Sequence, residues 1–223
     1  MNVERVLVII LQFIAILGAV VFHEYAHAWV AYRLGDPTAR RQGRLTLNPI
    51  PHIDPFGTII LPALLAIFGG VIFGWAKPVP IDPRHFKKPY QGMLLVAFAG
   101  PAMNGIMALL GALIWRFIRA AIRSPFSPDS LGGEVATNSL EALALLLGWF
   151  VIINVILGVF NLIPIPPLDG SRILNYFLPP EGKIFMARIE PFGFLIIFAL
   201  LWLGLLGRII APVAIWAQRL LLG

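Results

Sequence analysis

The 223-residue chain contains no cysteine. That excludes a disulfide framework and any thiolate ligand to a metal. Charge is scarce too: only 13% of the residues are Asp, Glu, Lys or Arg, about half the usual share of a soluble domain. Acids are the scarcer sign, 11 against 17 bases, for a formal charge of +6. There is no internal repeat, no low-complexity tract and no polar stretch long enough for a second soluble domain. What the chain has in abundance is apolar surface, 59% hydrophobic residues with a mean hydropathy of +0.86. A chain of this size cannot hide so much of it from water. An ordinary cytosolic domain, a disordered chain and a basic nucleic-acid binder are excluded. The sequence reads as an integral membrane protein, and no nucleic-acid partner is expected.

Six apolar runs can be counted. Val6–Phe22, Met93–Trp115 and Ala142–Ile163 hold 17, 23 and 22 residues, within the range of roughly 17–25 that a spanning helix needs. Gly57–Trp75 is interrupted by Pro62 and Gly69-Gly70, and Phe192–Gly207 and Ile209–Leu222 are shorter. The N-terminal run carries Glu4 and Arg5 before it and no A-x-A-like site after it, so it reads as a span and not a signal peptide. Arg40–Asn48 and Ala76–Ile81 alternate enough to predict two short strands, the second held at an edge by Pro78 and Pro80. The expected fold is an α-helical polytopic membrane protein. Three core transmembrane helices are joined by a re-entrant segment, short β-strands on the cytoplasmic side, and one or two C-terminal transmembrane or interfacial helices. Residues 1–223 read as one domain, with a core at 4–178 and C-terminal helices at 184–223.

The first run continues into His23-Glu24-Tyr25-Ala26-His27, an H-E-x-x-H sequence. On a helix, i and i+4 place both imidazoles on one face, where they can share a Zn²⁺. Glu24 is turned away from the ligand line yet within reach of a water beside the metal, where a carboxylate can act as base. From the chain's own His and Glu usage, chance matches number roughly 0.002 per chain. A polar cluster that only packs helices is the bland alternative. It is weak, because ionisable groups at membrane depth are expensive and mark function.

A catalytic zinc commonly takes three protein ligands. Asp54, His52, Asp82, His85 and Asp169 are candidates for the third. Asp169 stands out, because Leu168-Asp169-Gly170 follows the fourth run through Asn161-Leu162-Ile163-Pro164-Ile165-Pro166-Pro167. Prolines there remove backbone donors and unwind the helix end, letting a carboxylate project back into a polar cavity.

Together with Gly100-Pro101-Ala102-Met103-Asn104, these motifs resemble the site-2 protease family of intramembrane zinc metalloproteases. Asn48-Pro49-Ile50-Pro51-His52-Ile53-Asp54-Pro55 and Phe73-Gly74-Trp75-Ala76-Lys77-Pro78-Val79-Pro80 further resemble its compact prokaryotic branch without a PDZ domain. The resemblance implies one Zn²⁺ per chain held by His23, His27 and Asp169, with Glu24 as catalytic acid/base. It also implies that Asn161 and Asn104 lie near the active site; such amides can bind substrate backbone or a developing oxyanion, or hold helices together. Asn154, seven residues before Asn161, shares its helix face. His52 and Asp54 match a family segment without an assignable role.

Parity sets the expected topology. If Gly57–Trp75 crossed the membrane, Asp169 would emerge opposite the two histidines. If it enters and leaves on one face, His23, His27 and Asp169 converge. Eleven of the 17 basic residues then lie on the active-site face, among them Arg33, Arg44, Lys77 and Lys183, which favours a cytoplasmic opening. The expected activity is hydrolysis of a peptide bond in or near the transmembrane segment of a single-pass membrane protein, within the lipid bilayer, in regulated intramembrane proteolysis. The alternative is a metal transporter or sensor using the same ligands. It would favour several sites and a symmetric repeat, neither of which the sequence shows.

Overall fold

The computed structural model describes residues 3–60, 64, 75–124 and 133–223. Three long helices form the core: α1 (Val3–Arg33), α3 (Pro89–Ile122) and α4 (Glu134–Asn161) each pack against the other two. A single helical turn, α2 (Thr38–Arg41), follows α1. The C-terminal part holds α5 (Asp169–Phe177), α6 (Pro180–Ile189), α7 (Gly193–Trp202) and α8 (Leu205–Leu221).

Small residues at helical spacing bring the core helices together. On α1 the buried positions Leu11, Ala15, Ala19, His23, His27 and Ala31 recur every four residues. On α3 the buried line runs through Ala97, Gly100, Pro101, Asn104, Ala108, Gly111 and Ala112. Lipid offers no hydrophobic drive for helix association, so close backbone approach and dispersion must supply it. The large apolar side chains point the other way. Phe13 and Ile14 on α1, Leu113 and Phe117 on α3, and Phe198 and Trp202 on α7 are all exposed. Water would not tolerate that surface, and a bilayer matches it. Among the described residues, four helices are long and apolar enough to span: Arg5–Arg33, Pro89–Ile122, Thr137–Asn161 and the α6–α7 stretch Pro180–Trp202. The chain is an integral membrane protein.

At the C-terminus, the sequence leaves open a helical pair or a span followed by an interfacial segment. The structure has two helices hinged at Gly204, whose φ of 69° lies in the left-handed region. Ile197 of α7 and Leu206 of α8 pack together with Ile163 and Leu168, in the link between α4 and α5. The far end of α8 is fixed to α3, where Arg116 donates to the carbonyls of Leu221 (3.0 Å) and Leu220 (2.6 Å).

The two predicted strands are a correction: no strand occurs among the described residues. Arg40 and Arg41 belong to α2, and Ala76–Ile81 runs without regular structure or a ladder partner. Pro78 and Pro80 have no N–H to offer, and the intervening donors are committed elsewhere. Lys77 N–H goes to His52 O (3.0 Å) and Val79 N–H to the Glu24 carboxylate (2.9 Å). The alternation of Ala76–Ile81 therefore goes without ladder pairing.

Most of the expected re-entrant segment, residues 61–63 and 65–74, lies outside the described residues. Its ends do not. Trp75 N–H donates to Gly57 O at 3.1 Å, and Thr58 Oγ1 donates to Trp75 O at 2.8 Å, so the segment begins and finishes at one place.

Candidate metal centre

The centre is assembled from two places in the chain. His23 and His27 lie one turn apart on the buried face of α1, 5% and 6% exposed. Asp169, 8% exposed, is the first residue of α5. It is delivered by the proline-rich link that ends α4. Ile165 N–H bonds Ile163 O at 2.8 Å and Leu168 N–H bonds Ile165 O at 3.0 Å, folding the link back on itself. Gly170 makes this possible: a Cβ there would lie 2.2 Å from Leu162 O, a backbone atom that has nowhere to go.

Three ligand atoms converge. Asp169 Oδ2 is 3.2 Å from His23 Nε2 and 3.2 Å from His27 Nε2, and the two Nε2 atoms are 3.0 Å apart. Tetrahedral zinc with bonds of about 2.0–2.1 Å has ligand–ligand edges of about 3.3 Å. The triangle is that of a zinc site viewed from its open fourth position.

The proton positions support the same conclusion. His27 Nδ1 lies 2.7 Å from Val96 O, and a carbonyl only accepts, so Nδ1 donates. His23 Nδ1 lies 2.6 Å from Asn104 Oδ1. The Asn104 amide is oriented by its own donations, Nδ2 to Asn154 Oδ1 (2.8 Å) and to Ala19 O (3.3 Å), so His23 Nδ1 donates as well. With Nδ1 of each ring committed as a donor, both Nε2 atoms face the centre, where each would present its lone pair to a metal. Asp169 Oδ2, also buried, has no hydrogen-bond donor. Three lone-pair donors at this separation repel one another unless a cation lies between them, and the donor set, two imidazoles and one carboxylate, suits zinc.

Gly100 completes the cradle from α3. A Cβ on Gly100 would meet His27 Nε2 at 2.4 Å and His23 Cε1 at 2.5 Å. The G-P of the α3 motif thus leaves the space into which the imidazoles fit.

Glu24, next to His23 on α1, keeps its carboxylate beside the centre, with Oε2 accepting Val79 N–H at 2.9 Å. The donor belongs to Pro78-Val79-Pro80, where the flanking prolines leave it without a competing neighbour. This contact was not foreseen from sequence, and the only signal for it was the P-V-P pattern. Arg44, 5% exposed, braces the same segment by donating from Nη2 to Lys77 O; burial lowers its pKa.

The remaining predicted residues are placed as follows. Asn104 and Asn154 are fully buried behind His23, with Asn154 Nδ2 donating to Phe150 O at 2.8 Å. Asn161 is half-buried at the end of α4, its Nδ2 bonded to Leu157 O at 2.9 Å. His52 is buried, with Nε2 donating to Thr46 O at 3.0 Å. Asp54 Oδ1 accepts from the N–H groups of Phe56 and Gly57, at 3.1 and 2.7 Å. Asp82 is paired with Arg84, whose hydrogen bonds lower its pKa to about 2. His85 stands 3.4 Å from Asp36. Among the described residues, the ligand cluster is His23, His27 and Asp169, and none of the other four candidates reaches it.

Residues 11–204 match the model of peptidase family M50. The chain belongs to that family. It is 41% identical over 87% of its length to the Bacillus subtilis protein named "Putative zinc metalloprotease YwhC", 80% of which is covered. It is 31% identical over 90% of its length to "Putative zinc metalloprotease Rip2" of Mycolicibacterium smegmatis, 70% of which is covered. No solved structure matches it. In this M50 chain the match covers α1 from Leu11 onward, the Asp169 turn and α7, so every part of the centre lies inside it. The site-2 protease resemblance in the sequence and the zinc-type donor set agree with it.

Proposed function

We propose that the chain is an intramembrane zinc endopeptidase that cleaves a single-pass membrane protein in or near its transmembrane segment, as a step of regulated intramembrane proteolysis. One observation carries this reading. A buried His23–His27–Asp169 triangle, with the carboxylate of Glu24 beside it, sits among helices whose outer surfaces suit lipid. The names borne by YwhC and Rip2 support the same chemistry.

Zinc held by the three ligands supplies Lewis acidity for carbonyl polarisation and water activation. The rest belongs to the chain. Glu24 takes the proton of the attacking water and returns it to the leaving amine nitrogen. Asn104, with Asn154 behind it, holds the His23 ring in its Nδ1–H tautomer. Asn161, the one amide of the three not fully buried, is left to meet the substrate backbone or the oxyanion. The single ligand cluster among the described residues supports hydrolysis over metal transit, which would need a series of sites.

The meeting of Gly57 and Trp75 supports a re-entrant path, which sets Lys77 on the same side as Asn48. With the basic residues concentrated on that face, the site opens to the cytoplasm.

The reaction is tested in proteoliposomes holding a single-pass substrate whose transmembrane segment is labelled on both sides. The wild type is expected to release two fragments, and Glu24→Gln none while keeping its zinc. Cleavage by Glu24→Gln at the wild-type rate would remove Glu24 from the mechanism, and cleavage of only a soluble peptide would remove the membrane substrate.

A further inference from the structure

At the end of the helix core remote from the zinc ligands lies a cavity of about 1080 Å³. Leu7 lines it from α1, and Leu7 precedes His23 by 16 residues, about 24 Å of helix. It therefore opens in the opposite half of the bilayer. Four helices wall it: the start of α1, the ends of α3 and α8, and α4 from Asn138 to Ile152.

The cavity is graded along its depth. Its mouth is polar: Arg119 comes from the last turns of α3, Arg219 from the last turn of α8, and Glu141 from the second turn of α4. Leu145 and Ile152 continue the α4 wall one and three turns deeper than Glu141, and Ile215 does so one turn below Arg219 on α8. Between mouth and floor stand two unsatisfied donors. Arg119 Nε and Trp149 Nε1 are both buried without a hydrogen-bond partner. A guanidinium and an indole can only donate, so the group that satisfies them must be an acceptor. Arg119 also lies over the Trp115 ring, 5.8 Å from its centroid, which fixes its approach. Arg119 and Arg219 share the mouth with Glu141, and no ion pair among the described residues joins Glu141 to either. Leaving the two buried donors bare is costly.

We propose that this cavity is a binding site for an anionic glycerophospholipid of the leaflet opposite the zinc centre. The phosphodiester and the anionic headgroup lie between Arg119 and Arg219, an ester carbonyl accepts from Trp149 Nε1, and an acyl chain runs down the apolar wall of Leu145, Ile152 and Ile215. Each part of the ligand answers a feature of the cavity: an anion for the two guanidinium groups, an acceptor for each orphan donor, hydrocarbon for the apolar residues of the wall. The bilayer supplies such molecules at high local concentration. The site shares no residue with the zinc centre, so it stands or falls apart from the proposed proteolysis.

The test is native mass spectrometry of the full chain released from micelles holding equal phosphatidylglycerol and phosphatidylcholine. The wild type is expected to retain one phosphatidylglycerol in preference to phosphatidylcholine by about tenfold. Arg119→Gln with Arg219→Gln should remove that preference while zinc stays bound, and Arg188→Gln, on α6, should leave it intact. Trp149→Phe, which loses only the indole N–H, should weaken retention of both lipids without changing their ratio. Equal retention of the two lipids by the wild type overturns the proposal, as does an undiminished preference in the double variant. If the double variant loses its zinc and so its fold, the wild-type ratio and Trp149→Phe decide in the same two directions.

Discussion

Val79 donates its backbone N–H to Glu24 Oε2 at 2.9 Å, across 55 positions of sequence. The contact ties the proposed catalytic carboxylate to the segment that follows Trp75. It also leaves Oε1 as the oxygen free to take a proton. A hydrogen bond to a charged group contributes about 1.5–3 kcal/mol, enough to hold the carboxylate in one orientation.

Removing that donor should therefore lower turnover without disturbing the metal. Val79→Pro is expected to reduce kcat by about tenfold or more with zinc content unchanged, whereas Val79→Ile should cleave normally. Equal activity of the two variants would show that the N–H does not orient Glu24.

Gly100→Ala should act on the metal itself. Its Cβ would lie 2.4 Å from His27 Nε2, so an imidazole or α3 must shift. Overpacking of this kind costs about 1–3 kcal/mol, and here the displaced atom is a ligand. Zinc measured after dialysis against a weak chelator is expected to fall well below that of the wild type. Gly105→Ala on the same helix, where a Cβ meets nothing within 4 Å, should keep its zinc.

Asn104→Ala is expected to keep the three ligands but loosen the ring of His23, whose Nδ1–H would lose its acceptor. Loss of such a supporting partner typically weakens metal binding by about 10–100-fold. Competition with a chromogenic chelator measures it, and unchanged affinity would mean the tautomer is fixed by something else.

Much of this was legible in sequence because it is local. His23, Glu24 and His27 sit within one helical turn, and the i, i+4 spacing alone aligns the imidazoles. The core helices announced themselves by the length of their apolar runs. Asp169 was read from a proline-rich break, and the structure brings it to the two histidines. The segments between the helices were harder. Ala76–Ile81 alternates like a strand, yet its two available donors are drawn away by His52 O and by Glu24, partners 25 and 55 positions distant. For Asn104 and Asn154 the sequence allows a substrate-facing or a helix-packing role, and the structure buries both behind His23. An amide in an apolar helix looks the same in sequence whichever way it faces.

Topology has its own test. Single cysteines at the exposed positions Arg41 and Lys87 flank the Gly57–Trp75 segment, and the wild type has no cysteine to confuse labelling. Both are expected to react with an impermeant thiol reagent from the cytoplasmic face. Reaction from opposite faces would make the segment a span and would place Asp169 across the membrane from His27.

Metal content of the purified chain bears most directly on the zinc centre. One zinc per chain is expected in the wild type, and next to none in His23→Ala/His27→Ala or in Asp169→Ala with either histidine replaced. X-ray absorption at the zinc edge should show two imidazole nitrogens and carboxylate oxygen at about 2.0–2.1 Å. Full zinc retention by the double variants, or more than one zinc per chain, would contradict the assignment of His23, His27 and Asp169.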